Sequence, residues 1–206
     1  MNSPAFSANA PASLRRAAPV LRTAPVLFAL CLCLTLAGAR PTAQGHREHL
    51  TPEEIELIRD NQELDGRTGV FIKAAERRLL AVTNPEEAAR AAVKDKEKWG
   101  EVKGTRTQLF YDISKILDEA VVNVDDVAEH NPDSPLLRKA LYMLSEAATR
   151  ILPQLSKLRE GVKEEAEADQ LDRALETAQE ITEAAKERGV NAADMKVKVK
   201  TAKKDN

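Results

Sequence analysis

His46 and His49 stand three residues apart around Glu48, and imidazole with carboxylate is a donor set that divalent metals accept. Their setting argues against a site. Residues 40–50, RPTAQGHREHL, are polar and aperiodic and read as a flexible lead-in. Asp126 and His130 are four apart, one helical turn, and would share a metal on a helix face. A helix C-terminus accounts for His130 more simply, because the dipole there favours the protonated ring. Glu164, Glu165, Glu167 and Asp169 read as a solvated helix face rather than an ion site. Glu146 with Arg150, and Asp169 with Arg173, have the spacing of ordinary surface pairs. A di-iron bundle needs Glu-x-x-His pairs, and Val127 rather than Glu stands three before His130. No Cys-x-x-Cys-His, zinc spacing or glycine-rich phosphate loop occurs. Trp99, near Gly100 and Gly104, reads as a ring packed over a bundle end rather than a ligand platform. These residues assign no catalytic, cofactor-binding or metal position and imply no cofactor. The expectation is a protein that is not an enzyme.

The two cysteines, Cys31 and Cys33, fall inside an uncharged run, Ala24 to Ala39, which reads APVLFALCLCLTLAGA. Arg15, Arg16 and Arg22 precede it with no acid upstream, and Ala37-Gly38-Ala39 has the small-x-small form of a cleavage site. That order is the layout of a secretory signal peptide, residues 1–39. A membrane-spanning helix needs about 20 apolar residues, and this run has 16. Cleavage after Ala39 is therefore favoured over retention as an inner-membrane anchor through residues 24–39. The expected location is periplasmic or extracellular.

Charge narrows the partners. The chain holds 31 basic and 33 acidic residues, and residues 1–39 contain three Arg and no acid. The remainder carries 28 basic against 33 acidic. Five lysines and one aspartate fall in Lys196 to Asn206, so the body is more acidic still. An acidic body excludes nucleic acid as a partner, since that needs a basic face. Residues 190–206 read as a basic disordered tail. Its lysines suit weak contact with an anionic membrane or envelope polymer.

The elements that would position any site are helical. Thr51-Pro52-Glu53-Glu54 and Asn84-Pro85-Glu86-Glu87 each offer a cap, a proline at the first helical position and acids for the positive end of the dipole. Ser134-Pro135 repeats the arrangement without the acids. Leu137, Leu141, Leu144, Ala148, Ile151, Leu155, Leu158 and Val162 alternate steps of four and three, with Pro153 expected to kink the helix. Leu109, Ile113, Ile116, Ala120, Val124 and Val127 form a similar stripe, and the short loop 130–133 predicts that the two helices pack antiparallel. Leu171, Ala174, Ala178, Ile181 and Ala185 mark a further helix ending at Gly189, separated from its predecessor at Gly161. Upstream, Ile55 and Ile58 belong to a short helix, and Phe71, Ala75, Leu79 and Val82 to another, with an elbow at Gly66 and Gly69. The predicted fold is all-α, an up-and-down bundle of three to four principal antiparallel helices over residues 51–189.

Leu50-Thr51-Pro52-Glu53-Glu54 resembles the Leu-Thr-x-x-Gln signature of small helical periplasmic stress chaperones over five residues, with Glu54 in place of Gln. A capping box accounts for the same residues without kinship, and no family is assigned. The expected function is a non-catalytic, exported structural or protein-interaction module of the cell envelope, which presents helix faces to a partner or to itself. The alternative is a periplasmic chaperone-like or stress-related binding protein.

Overall fold

The computed structural model describes residues 48–196. The apolar leader, His46 and the lysine-rich residues 197–206 lie outside the described residues. Six α-helices make up nearly all of the described chain: α1 (Pro52–Asp60), α2 (Leu64–Thr83), α3 (Pro85–Trp99), α4 (Arg106–His130), α5 (Leu136–Arg159) and α6 (Glu165–Glu187). A 3₁₀ helix, Ala192–Lys196, follows, and no strand occurs among the described residues. No helix among them is long and apolar enough to cross a membrane.

Local chemistry sets the helix starts. Thr51 Oγ1 accepts from the Glu54 N–H at 3.1 Å while Glu54 Oε2 accepts from the Thr51 N–H at 2.9 Å, which closes a capping box at α1. Asn84 Oδ1 caps α3 through the Glu87 N–H at 3.1 Å. A second capping box, Thr105 with Gln108, starts α4. The last turn of α6 closes with Gly189 at φ +60°. The Val190 N–H bonds the Ala185 carbonyl and the Gly189 N–H bonds that of Lys186. These are the two hydrogen bonds of a Schellman cap, and they call for a residue that tolerates positive φ. Helix α5 begins at Leu136, one residue later than a proline at its first position would place it, and runs through Pro153 to Arg159.

The elbow between α1 and α2 falls at residues 61–63, and Gly66 and Gly69 both lie inside α2. Asn61 ends α1 by bonding the Leu57 carbonyl with its backbone N–H and with Nδ2. A Cβ at position 66 would meet Asn61 Oδ1 at 2.8 Å, and one at 69 would meet Met143 Cε at 3.7 Å. Gly66 thus admits a close approach within the helix instead of ending it.

Four long helices enclose the core. Helix α2 packs against α4 and α5, and α6 packs against the same two. Side-chain bonds give the directions. Lys139–Asp65 and Arg150–Glu76 pair α2 and α5 in parallel. Arg106–Glu167 and Thr177–Asp118 pair α4 and α6 in parallel. Arg67–Asn123 makes α2 antiparallel to α4. Arg159–Asp172 at one end and Arg138 with the Arg188 carbonyl at the other make α5 antiparallel to α6. The cyclic order is α2–α4–α6–α5. The stripes on α4 and α5 do run antiparallel, as their short loop requires, but these two helices lie across the diagonal and touch little. The reason is that α4 buries two adjoining faces. Leu109, Phe110, Ile113, Ile116, Leu117, Ala120 and Val124 span more than one stripe, so α2 and α6 both have apolar surface to cover.

The helices' predicted stripes form this core. Leu144, Ala148, Ile151 and Leu155 of α5 are buried, as are Leu171, Ala174, Ala178, Ile181 and Ala185 of α6. Leu137, Leu158, Val127 and Val162 sit half-buried at its margins.

Candidate functional site

A fully buried carboxylate, Glu54, with 0 % of its surface exposed, gathers the first three helices. Its Oε1 accepts from Arg77 Nη1 and from Arg78 Nη1, each at 2.5 Å. Arg78 is itself 2 % exposed and donates onward to the His49 carbonyl at 2.7 Å and the Ala74 carbonyl at 3.1 Å. Arg77 donates to the carbonyls of Trp99 at 2.8 Å and Gly100 at 2.6 Å, and its guanidinium stands 5.7 Å from the centre of the Trp99 ring. Thr51 Oγ1 donates to the same Trp99 carbonyl at 2.8 Å. One carboxylate therefore ties together the start of α1, the middle of α2, the end of α3 and the segment before α1.

The hub's hydrogen bonds run to protein groups, while buried Arg78 Nε makes none among the described residues. The Glu54 oxygens accept from one backbone and two guanidinium donors, and four of the guanidinium bonds end on main-chain carbonyls. A buried ion pair adds little net stability over a hydrophobic replacement but is costly to break. Its effect here is to orient α1 and α3 on α2. Arg78 also lines a polar cavity of 500 Å³ with Asp112, Lys96 and Lys103.

His49 Nε2 lies 2.9 Å from Glu119 Oε1, within ion-pair distance but outside hydrogen-bond geometry. Asp126 and His130 contact each other at the exposed end of α4, at 3.4 Å. Glu167 joins Arg106 of α4 at 2.8 Å. Arg150 turns to Glu76 of α2 rather than to Glu146, which instead accepts from Tyr142. Burial, then the Glu146 charge, holds the Tyr142 hydroxyl above its ordinary range. Trp99 is half-buried, its ring under Arg77 at the α1–α2–α3 junction. No group of three metal-binding side chains occurs among the described residues.

The apolar periodicity of α2 does not mark the hub, but one sign of it is legible. Arg78 occupies a position of the apolar stripe Phe71–Ala75–Leu79–Val82, where a charge must find a buried partner. Which acid answered it, 24 residues away, had no local trace.

Two of the grooves among the described residues are mainly apolar. One, of 480 Å³, runs between α2, α3 and α5 over Leu79, Leu80, Ala88, Ala92 and Ile151. The other, of 380 Å³, lies between α4 and α6 with α5 at its floor. Val93 on α3 and Val122 on α4 are 82 % and 65 % exposed. With Met195 they are the large hydrophobic side chains exposed among the described residues. No family model, curated protein or solved structure matches the chain.

Proposed function

We propose that this protein is an exported, non-catalytic interaction module of the cell envelope, which offers the faces of a rigid helical bundle to a protein partner. One observation carries the reading. The buried ionic groups at the α1–α2–α3 junction are spent on holding helices, while apolar surface is left open in grooves between helices, beside exposed Val122. The leader supports export by its charge order and small-residue end. The chaperone-like alternative needs a broad greasy surface, whereas the large apolar side chains exposed among the described residues, Val93, Val122 and Met195, belong to three different elements.

A photo-crosslinking amino acid placed at Val93, Val122 or Lys157 in living cells tests the reading. A discrete adduct with another envelope protein, from at least one helix face, is expected. Recovered protein should begin at Arg40. Absence of an adduct from every face, or a full-length product confined to the cytosol, overturns it.

A further inference from the structure

The groove between α4 and α6 has an aliphatic floor and an acidic rim that its own cations neutralise only in part. Val121, Leu141, Leu144 and Ile181 supply apolar surface, with Val122 standing exposed at the edge. Asp118, Asp125 and Glu180 supply the rim, with one cation, Arg188. Asp118 is engaged by Thr177 at 3.1 Å and Lys115 at 3.4 Å. Asp125 and Glu180 have no ion pair among the described residues.

The wider field points the same way. Helix α4 holds six acidic and two basic residues, and α6 eight and two. Parallel packing sets these two acidic helices side by side. On the opposite side α5 holds one acid and five bases, and Arg138, Lys139, Arg150 and Arg159 are each already paired within the molecule. Surplus negative charge is therefore concentrated on the helix pair that carries the open groove. A cavity of about 150 Å³ holds a benzene-sized group, so this groove has room for more than one aliphatic side chain.

We infer that the α4–α6 groove docks a basic amphipathic segment of a partner protein, its aliphatic side chains on the Val122–Leu141–Ile181 floor and its Lys or Arg side chains on Asp125 and Glu180. This rests on the interaction-module reading and names the chemistry of the partner. A second copy of the chain is a poorer occupant, because four of the five cations of α5 are engaged internally.

Fluorescence anisotropy with the full chain tests it. The probe is a labelled Leu/Lys amphipathic helical peptide, with its Leu/Glu counterpart as control. Saturable one-to-one binding of the lysine peptide is expected, weakening as salt rises. Glu180→Lys should weaken it about tenfold and Val122→Ser several-fold. Glu86→Lys on α3, away from the groove, should leave it unchanged. Circular dichroism checks that each variant is folded. Equal weakening by Glu86→Lys, or equal binding of the Leu/Glu peptide, overturns the proposal. So does tighter peptide binding after deletion of residues 197–206, which would make the chain's own tail the occupant, or a dimer that the peptide dissociates. If crosslinks form in cells at another face while the peptide fails to bind, this inference fails and the interaction-module reading stands.

Discussion

Glu54 is the residue on which the first three helices depend. Its carboxylate serves at once as the α1 capping-box acid and as the counter-ion of two arginines. Glu54→Ala would strand Arg78 without its counter-ion in a buried position, and losing one partner of a buried pair costs about 3–5 kcal/mol. Urea denaturation should show that loss as a lower midpoint with an unchanged slope. Arg138 plays a similar part at the other end of the chain. It grips Asp194 with two nitrogens, at 2.9 and 3.2 Å, and donates to the Arg188 and Gly189 carbonyls. The Arg138 hydrogen bond, then the Asn191 N–H, holds the Asp194 carboxyl below its ordinary range. A carboxylate whose pKa is depressed by folding stabilises above its unfolded value and loses that contribution as pH falls through the folded one. The 3₁₀ helix should accordingly stay docked at neutral pH and loosen below about pH 4. A carboxyl NMR titration of Asp194 should read a low value in the parent and a higher one in Arg138→Ala, where the Asn191 N–H bond remains.

At the scale of elements, helix boundaries follow from caps that act over three or four residues. Thr105→Ala removes the hydroxyl that accepts from the Gln108 N–H at the start of α4. The expected cost is about 1 kcal/mol, read as a fall in melting temperature. Thr51→Ala should cost more, because that hydroxyl also donates to the Trp99 carbonyl and joins α1 to α3. Helix α3 shows how far an element can rest on its ends. None of its residues is buried, and it faces α2 with Ala88, Ala91 and Ala92 half-exposed. The Asn84 cap and the Arg77 and Thr51 bonds to its last carbonyls hold it in place.

For the whole molecule, the cyclic order of helices sets the distribution of charge. Acidic α4 and α6 run side by side, and α2 and α5, richer in bases, occupy the opposite side. Exposed charges repel weakly through water, by a few tenths of a kcal/mol per close pair. Glu180→Lys should therefore leave the fold intact or stabilise it by about 0.2–0.5 kcal/mol at low salt, an advantage that fades as salt is added. Thermal melts at two ionic strengths measure it. A variant that gains stability while losing peptide binding would show that the acidic face is kept at some expense to the fold.

The helices themselves were legible in the sequence, because capping, dipole preference and the three-four apolar rhythm are local. Thr51–Glu54, Asn84–Glu87 and the stripes through Leu144 and Leu171 needed only their neighbours to be read. The Gly66–Gly69 segment misled, since a glycine that ends a helix and one that admits a close contact look alike until the Asn61 side chain is in place. Arg78 falls on the buried side of α2, but nothing near it in sequence names its partner. Only the tertiary structure decided that Glu54 would answer it, that α4 would lie beside α6 rather than α5, and that an acid-rimmed groove would open between them. Each of these depends on residues tens of positions apart, brought together when several amphipathic faces are buried at once, and no short-range rule ranks one such arrangement above another.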